Sequence, residues 1–305
     1  MVMSTAGGDY SGMLSDPLVP LDFGGWVRRV FRVLGRSFRS LALLALISAV
    51  CSTVGSIALV VVTPTREEAQ RMVAEAKITD QNEAQGLIVK SILAYWPLFV
   101  VLAVVILLVS VLVAGASVYV AIRDANRQSG SIVDGIGFAL PRLLPAVGWT
   151  ILTGLIVLVA LVVPMVPSML IKSDVAGVIG AVVAFALVAY LGTTLFGSLF
   201  GVLFVDRAGI PRCFQLIKRR FWATFGRLVV AVLLTIPYLV AYFIVVGLLN
   251  WMLGPGSVAV AIVQAALTIP LAVYGVAVQV VTYAELRFWE NTSIATRTLT
   301  SELNH

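Results

Sequence analysis

ILAYWPLFVVLAVVILLVSVLVAGASVYVA, residues 92–121, runs for 30 residues without a charged side chain. A helix rises about 1.5 Å per residue, so about 20 apolar residues cross a hydrocarbon core of roughly 30 Å. The stretch reads as a transmembrane helix. Working outward, apolar blocks of the same kind lie at 40–63, 146–168, 176–205, 228–250 and 257–284. None holds Asp, Glu, Lys, Arg or His in its interior. The composition agrees, with 60% apolar and 12% charged residues, against about 45–50% and 25% in an ordinary soluble domain. The expected fold is an all-α polytopic membrane protein with six transmembrane helices. The first block starts near Leu41, behind five arginines, and is too long for a signal-peptide core, so it reads as a retained span.

Lysine and arginine divide sixteen to five between the two sides of these spans. The richer side holds the N-terminal segment, the connections after spans two and four, and the tail. The positive-inside rule assigns that side to the cytoplasm, with both termini there, and the expected location is a bacterial plasma membrane. On the other side only residues 64–91 form a substantial loop. Thr65 and Glu68 make a capping box after Pro64, and REEAQRMVAEAK follows, so a short helix at the outer surface is expected.

The segments on the basic side repeat a design. FGGWVRRVFRVLGRSFRSL precedes span one, with Trp26, Val27, Val30, Phe31, Leu34, Phe38 and Leu41 opposite Arg28, Arg32, Arg36 and Arg39. PRCFQLIKRRFWATFGRL precedes span five, and SIVDGIGFALPRLLPAV, broken by Pro141 and Pro145, precedes span three. Each reads as an amphipathic helix in the membrane interface. Spans two, four and six end alike, at Tyr119 with Arg123–Asp124, at Phe204 with Asp206–Arg207, and at Tyr283 with Glu285 and Arg287. The expected plan is three tandem helical hairpins, each preceded by an amphipathic interfacial helix, in units of about 22–124, 131–207 and 210–287. Residues 1–21 are expected as a disordered cytoplasmic N-terminus, 22–287 as the membrane domain, and 288–305 as a cytoplasmic tail.

PLDFGGWVRRVFRVLGRSF, IRDANRQSGSIVDGIGFALPRLLPAV and FVDRAGIPRCFQLIKRRFWATFGRL together resemble an actinobacterial-type family. It is the membrane-domain family named for glycerophosphoryl diester phosphodiesterase, found as a stand-alone membrane part. The resemblance covers most of the chain and implies a multi-pass membrane protein. The phosphodiesterase of the family name is a separate soluble barrel that uses His, Glu and Asp around a metal. That half is not carried over, because this chain has no room for the barrel and its one histidine is His305.

The same histidine count removes most acid–base and metal chemistry. Cys51 lies in span one and Cys213 in a basic segment, in different phases, so no disulfide is expected. No phosphate-loop, dinucleotide-binding or paired-histidine zinc motif is present. The reading is non-enzymatic, with no catalytic constellation, cofactor or metal. Asp124, Asp206 and Glu285 sit where membrane-embedded transferases present carboxylates, which keeps an enzyme acting on lipid headgroups as a third reading, but each has an arginine nearby that explains it structurally.

Charge-free spans also disfavour proton coupling, which leaves three candidate surfaces. Arg28, Arg29, Arg32, Arg36, Arg39, Arg212, Lys218, Arg219, Arg220 and Arg227 either set topology or also contact anionic lipid headgroups. Pro237 and Pro270, in the rhyming LTIPYLVAY (234–242) and LTIPLAVYG (267–275), free backbone carbonyls. With Tyr238, Tyr242, Gln264 and Tyr274 they either line a lipid cleft or are satisfied by their neighbours. Gly197 and Gly201 form a GxxxG packing face, turned to another helix of the chain or to a partner. The leading functional expectation is an accessory or scaffold subunit packing with anionic lipids and with other membrane proteins or itself. A carrier for a lipid or other hydrophobic molecule is the alternative. No nucleic-acid partner is expected.

Overall fold

The structure is a computed structural model of the chain, and it describes residues 16–20, 22–62, 75, 93–171, 173–254 and 257–304. Apart from position 75, the helix expected in loop 64–91 lies outside the described residues. The described residues are helical, with no strand. In chain order the helices are α1 (Phe23–Val62), α2 (Trp96–Ala125), α3 (Ile132–Ala139), α4 (Leu143–Val162), α5 (Val166–Ile171), α6 (Asp174–Phe196), α7 (Leu199–Gly201), α8 (Ile210–Ile217), α9 (Phe221–Leu253), α10 (Val258–Glu290) and α11 (Thr296–Glu302). Six helical stretches are long and apolar enough to cross a membrane. Span one is α1, span two α2, span three α3 to Met165, span four α6 to Asp206, and spans five and six are α9 and α10.

Local chemistry sets the breaks. Ser131 caps α3 by accepting the Val133 N–H at 3.2 Å, satisfying one of the orphan donors of a helix start. Pro141 lies in the tight turn Leu140–Arg142 between α3 and α4. Pro164 lies in a second such turn, Val163–Met165, which closes against span four. There a Cβ on Gly180 would stand 2.4 Å from the Pro164 carbonyl oxygen, so only glycine permits the approach. Span four ends in a π-helical turn, Val202–Asp206, stopped by Arg207 in the left-handed region at φ 54°. Pro211 then opens α8, where its missing N–H costs nothing.

The chain divides into two compact units, and the first comprises Met1–Leu44, Val111–Pro237 and Pro270–His305. Its core is built around Trp26, Phe204, Tyr283, Ile122, Ile217 and Leu286, all at most 2% exposed. In α1 the buried stripe is Trp26, Val30, Val33, Ser37, Leu41 and Leu44, with Trp26 Nε1 donating to Thr282 Oγ1 at 3.2 Å. Phe31 and Phe38, grouped with Trp26 on the expected apolar face, are exposed instead. The segment before span one is continuous with it in one helix, because FGGWVRRVFRVLGRSF holds no residue that must break a helix.

Most of the expected disordered start, residues 1–15, lies outside the described residues, while residues 16–20 and the tail are held by packing. Leu18 and Val19 are buried, and the Asp16 carboxylate accepts the Thr296 N–H at 3.0 Å and the Thr296 hydroxyl at 2.6 Å. Asp16 thus caps α11 from across the chain, while Leu299 and Leu303 bury their side chains beneath it. A short helix gains most of its stability from such packing, which sequence texture alone does not reveal. Cys213 is buried in α8, and burial pushes its thiol up from the ordinary range. Cys51 and Cys213 are both free thiols.

The second unit comprises Ala45–Ser110 and Tyr238–Ile269. Gly55 sits against Ile106, and a Cβ there would fall 2.7 Å from the isoleucine Cδ1. The Thr53 and Ser56 hydroxyls donate to the carbonyls of Ala49 and Ser52, at 2.8 and 3.0 Å. Polar atoms are thereby satisfied locally, as a lipid environment requires. Val50, Val54, Val101, Phe243 and Trp251 are exposed, giving this unit an apolar outer surface.

Candidate functional site

Within the first unit the ends of spans two, three and four and the C-terminal segment enclose a cleft of about 1010 Å³. Three arginines line it: Arg123 from α2, Arg142 from the turn before α4, and Arg207 at the end of span four. Tyr119, Phe138 and Trp149 supply aromatic walls, Val133, Ala146 and Leu203 apolar ones, and Leu303 and Asn304 close one side. Asp134, exposed in the first turn of α3, is the one acidic lining residue.

Two of the guanidiniums are positioned by the protein. The Arg142 guanidinium lies 3.9 Å from the Phe138 ring centroid and donates to the Phe138 carbonyl at 2.8 Å. Arg123 donates to the Tyr119 hydroxyl, one turn earlier, and the Tyr119 ring packs at a tilt against Phe138, with centroids 5.0 Å apart. Arg123 Nε is buried without a hydrogen-bond partner. Arg207 is exposed at the cleft, at a left-handed backbone position. The wall at Trp149 is fixed because Gly209 leaves no room for a Cβ against the indole, the nearest atom being 2.2 Å away. Among the described residues no carboxylate pairs with Arg123, Arg142 or Arg207. Three cations lining a cavity rimmed by rings, two of them held in place, can receive an anion through charge-assisted, bidentate hydrogen bonds.

Next to the cleft, opposite charges are spent on each other. Asp206 accepts from Arg287, from the Tyr283 hydroxyl and from Arg212 Nε at 3.3 Å. Arg212 also grips Glu290 with two hydrogen bonds, and Arg287 reaches Glu302 of α11 at 2.9 Å. Farther along α10, Glu285 pairs with Arg227 at 2.6 Å, both nearly buried. These pairs join span four, α8, α9, α10 and α11.

The ten basic residues singled out in the sequence therefore have different fates. Arg29 donates to the Asp16 carbonyl at 2.9 Å, and Arg36 donates to the carbonyls of Asp124 and Ala125 at the end of span two. Arg212 and Arg227 are held in ion pairs, and Arg220 stacks 3.5 Å over Trp289. Arg28, Arg32, Arg39, Lys218 and Arg219 stay exposed.

Of the six expected cleft residues, Pro237, Pro270 and Tyr274 belong to the first unit and Tyr238, Tyr242 and Gln264 to the second. Tyr274 donates to the Ala231 carbonyl at 3.2 Å and lines an apolar groove of about 220 Å³ with Phe196, Leu228, Thr235 and Leu271. In the second unit Tyr238 donates to the Leu267 carbonyl at 2.6 Å, while Tyr242 packs against Phe243 and Gln264 is half-buried. The rhyme between the two proline segments recurs in space. Thr235 and Thr268 each bond the carbonyl three residues earlier, at 2.7 and 2.8 Å.

Gly197 and Gly201 face span six of the same chain. A Cβ on Gly197 would stand 3.1 Å from Thr282 Cγ2, and one on Gly201 would stand 2.3 Å from the Tyr283 ring. Gly115 of span two receives the Phe204 ring of span four in the same way, at 2.4 Å. In the sequence Arg123 and Arg207 stand out as halves of span-end acid–base pairs and, with Arg142, as topology signals. What marks them out is their position beside Tyr119, Phe138 and Trp149, which only the fold brings together. Comparison with protein families, curated proteins and solved structures finds no match.

Proposed function

We propose that this chain is a non-enzymatic integral membrane protein that holds an anionic amphiphile at its basic end and serves as an accessory or scaffold subunit among lipids and other membrane proteins. The observation that carries the reading is the cleft in which Arg123, Arg142 and Arg207 stand without a carboxylate partner beside aromatic walls. In this reading six spans form three tandem hairpins in a bacterial plasma membrane, with both termini cytoplasmic. Their basic segments meet anionic headgroups, each residue near the surface adding about 1 kcal/mol. The likeness of the aromatic–glycine contacts at Gly115 and Gly201 favours the repeat. A catalytic role for the span-end carboxylates is weakened because arginines hold Asp206 and Glu285. Native purification followed by mass spectrometry tests the proposal. Co-purifying anionic lipid is expected, and a lipid-free, partner-free monomer at native expression overturns it.

A second reading, a carrier for a hydrophobic molecule, draws on the apolar groove beside Tyr274. Ordered lipid-like density there, lost on substituting Tyr274, would favour it.

A further inference from the structure

We propose that the arginine cleft is selective for a phosphate monoester dianion, bound by the guanidiniums of Arg123, Arg142 and Arg207, with Asp134 setting the charge balance. This rests on the anionic-ligand reading and narrows it to a chemical class.

The charge count comes first. Three arginines and one aspartate leave the lining with a net charge of +2. A phosphate monoester carries about −1.5 to −2 at neutral pH and presents three strong acceptor oxygens. A diester carries one charge and two free oxygens, so it leaves one guanidinium uncompensated in a partly enclosed site. A carboxylate has the same shortfall.

Two neighbouring acids are spent elsewhere. Asp206 adjoins Arg207 in sequence, yet Arg287, Arg212 and Tyr283 occupy it. Glu302 adjoins the lining residue Leu303, yet it pairs with Arg287. The ion-pair network therefore commits these two carboxylates to Arg287 and Arg212, while Arg123 keeps a buried unpaired donor. Arg142 and Arg207 line the same cleft, so a dianion held there is attracted by both.

Size and lining agree. Ordinary ligand pockets measure about 300–1,000 Å³. A cleft of about 1010 Å³ therefore accepts a phosphate with the glycerol or sugar attached to it. The rings of Tyr119 and Trp149 then offer apolar surface to whatever carries the phosphate. The shared chemistry is the terminal phosphate, presented either by a membrane lipid or by a soluble ester.

Full-length protein in detergent is titrated with phosphatidic acid, phosphatidylglycerol, phosphatidylcholine and glycerol phosphate, with binding read by native mass spectrometry. Phosphatidic acid is expected to bind at least about tenfold more tightly than phosphatidylglycerol. Arg142→Gln and Arg207→Gly are each expected to lower that affinity by about tenfold, the glycine keeping the left-handed backbone, while Arg297→Gln, exposed on α11 outside the cleft, leaves it unchanged. Should the arginine variants fail to fold, Asp134→Asn decides: affinity for the monoester rises severalfold if the aspartate sets the balance, and an unchanged affinity counts against the proposal. Equal binding of phosphatidic acid and phosphatidylglycerol overturns the monoester assignment and leaves the anionic-lipid reading standing. Binding of neither above phosphatidylcholine, with no binding of glycerol phosphate, overturns both. Glycerol phosphate bound as tightly as phosphatidic acid identifies a soluble source, and binding of the lipid alone identifies a membrane one; either supports the shared chemistry.

Discussion

Glycine at position 201 matters because of what it touches. The ring of Tyr283 occupies the space a Cβ would need, whereas Gly192, in the same span, has nothing within 4 Å. Gly201→Ala is therefore expected to destabilise the protein by about 1–3 kcal/mol through overpacking. Gly192→Ala should be neutral or stabilising by up to about 1 kcal/mol, since alanine is the better helix former. Thermal unfolding in detergent compares the two, and equal melting temperatures would contradict the packing described for span six. The spacing Gly197–Gly201 was visible in the sequence as a close-packing signal. Which helix it meets was not, because GxxxG records only that some backbone approaches. In the same way the sequence shows Arg207, but not the left-handed turn at which it lines a cleft.

At the scale of elements, the basic end is joined by charge. Asp206, at the end of span four, ties α8 through Arg212 and α10 through Arg287, and Arg287 continues to α11 through Glu302. Asp206 and Arg287 are nearly buried, at 6% and 10% side-chain exposure, while Glu290 is 38% exposed. Removing one partner of a buried pair strands the other charge, which costs about 3–5 kcal/mol, whereas an exposed pair is worth about 0–1 kcal/mol. Asp206→Asn should therefore lower stability by about 3 kcal/mol or more, and Glu290→Gln by less than about 1 kcal/mol. Chemical denaturation of the two variants measures the difference, and a reversed order would show that the network is not organised around Asp206. The acidic and basic residues at the ends of spans two, four and six were visible along the chain. Their partners were not, since Arg212 and Glu290 are brought together only by folding. The segment before span one and the span itself form one continuous α1, and helical periodicity does not mark where such a helix leaves the membrane.

For the whole molecule, the sixteen-to-five division of basic residues makes an orientation prediction. With Cys51 and Cys213 replaced and single cysteines placed at Arg219 and Glu75, an impermeant maleimide added to intact cells should label position 75 and spare position 219. The opposite pattern would invert the topology. The sequence by itself determined that the chain is helical with six stretches long and apolar enough to cross a membrane, because a hydrocarbon core admits only backbones that satisfy their own hydrogen bonds over about 20 apolar residues. Those constraints are local, so they can be read along the chain. Only the tertiary structure decided which arginines are spent in pairs, as Arg212, Arg227 and Arg287 are, and which face a cleft, as Arg123, Arg142 and Arg207 do. Electrostatic pairing depends on distances of a few ångströms between residues far apart in sequence, and hydropathy carries no record of those distances.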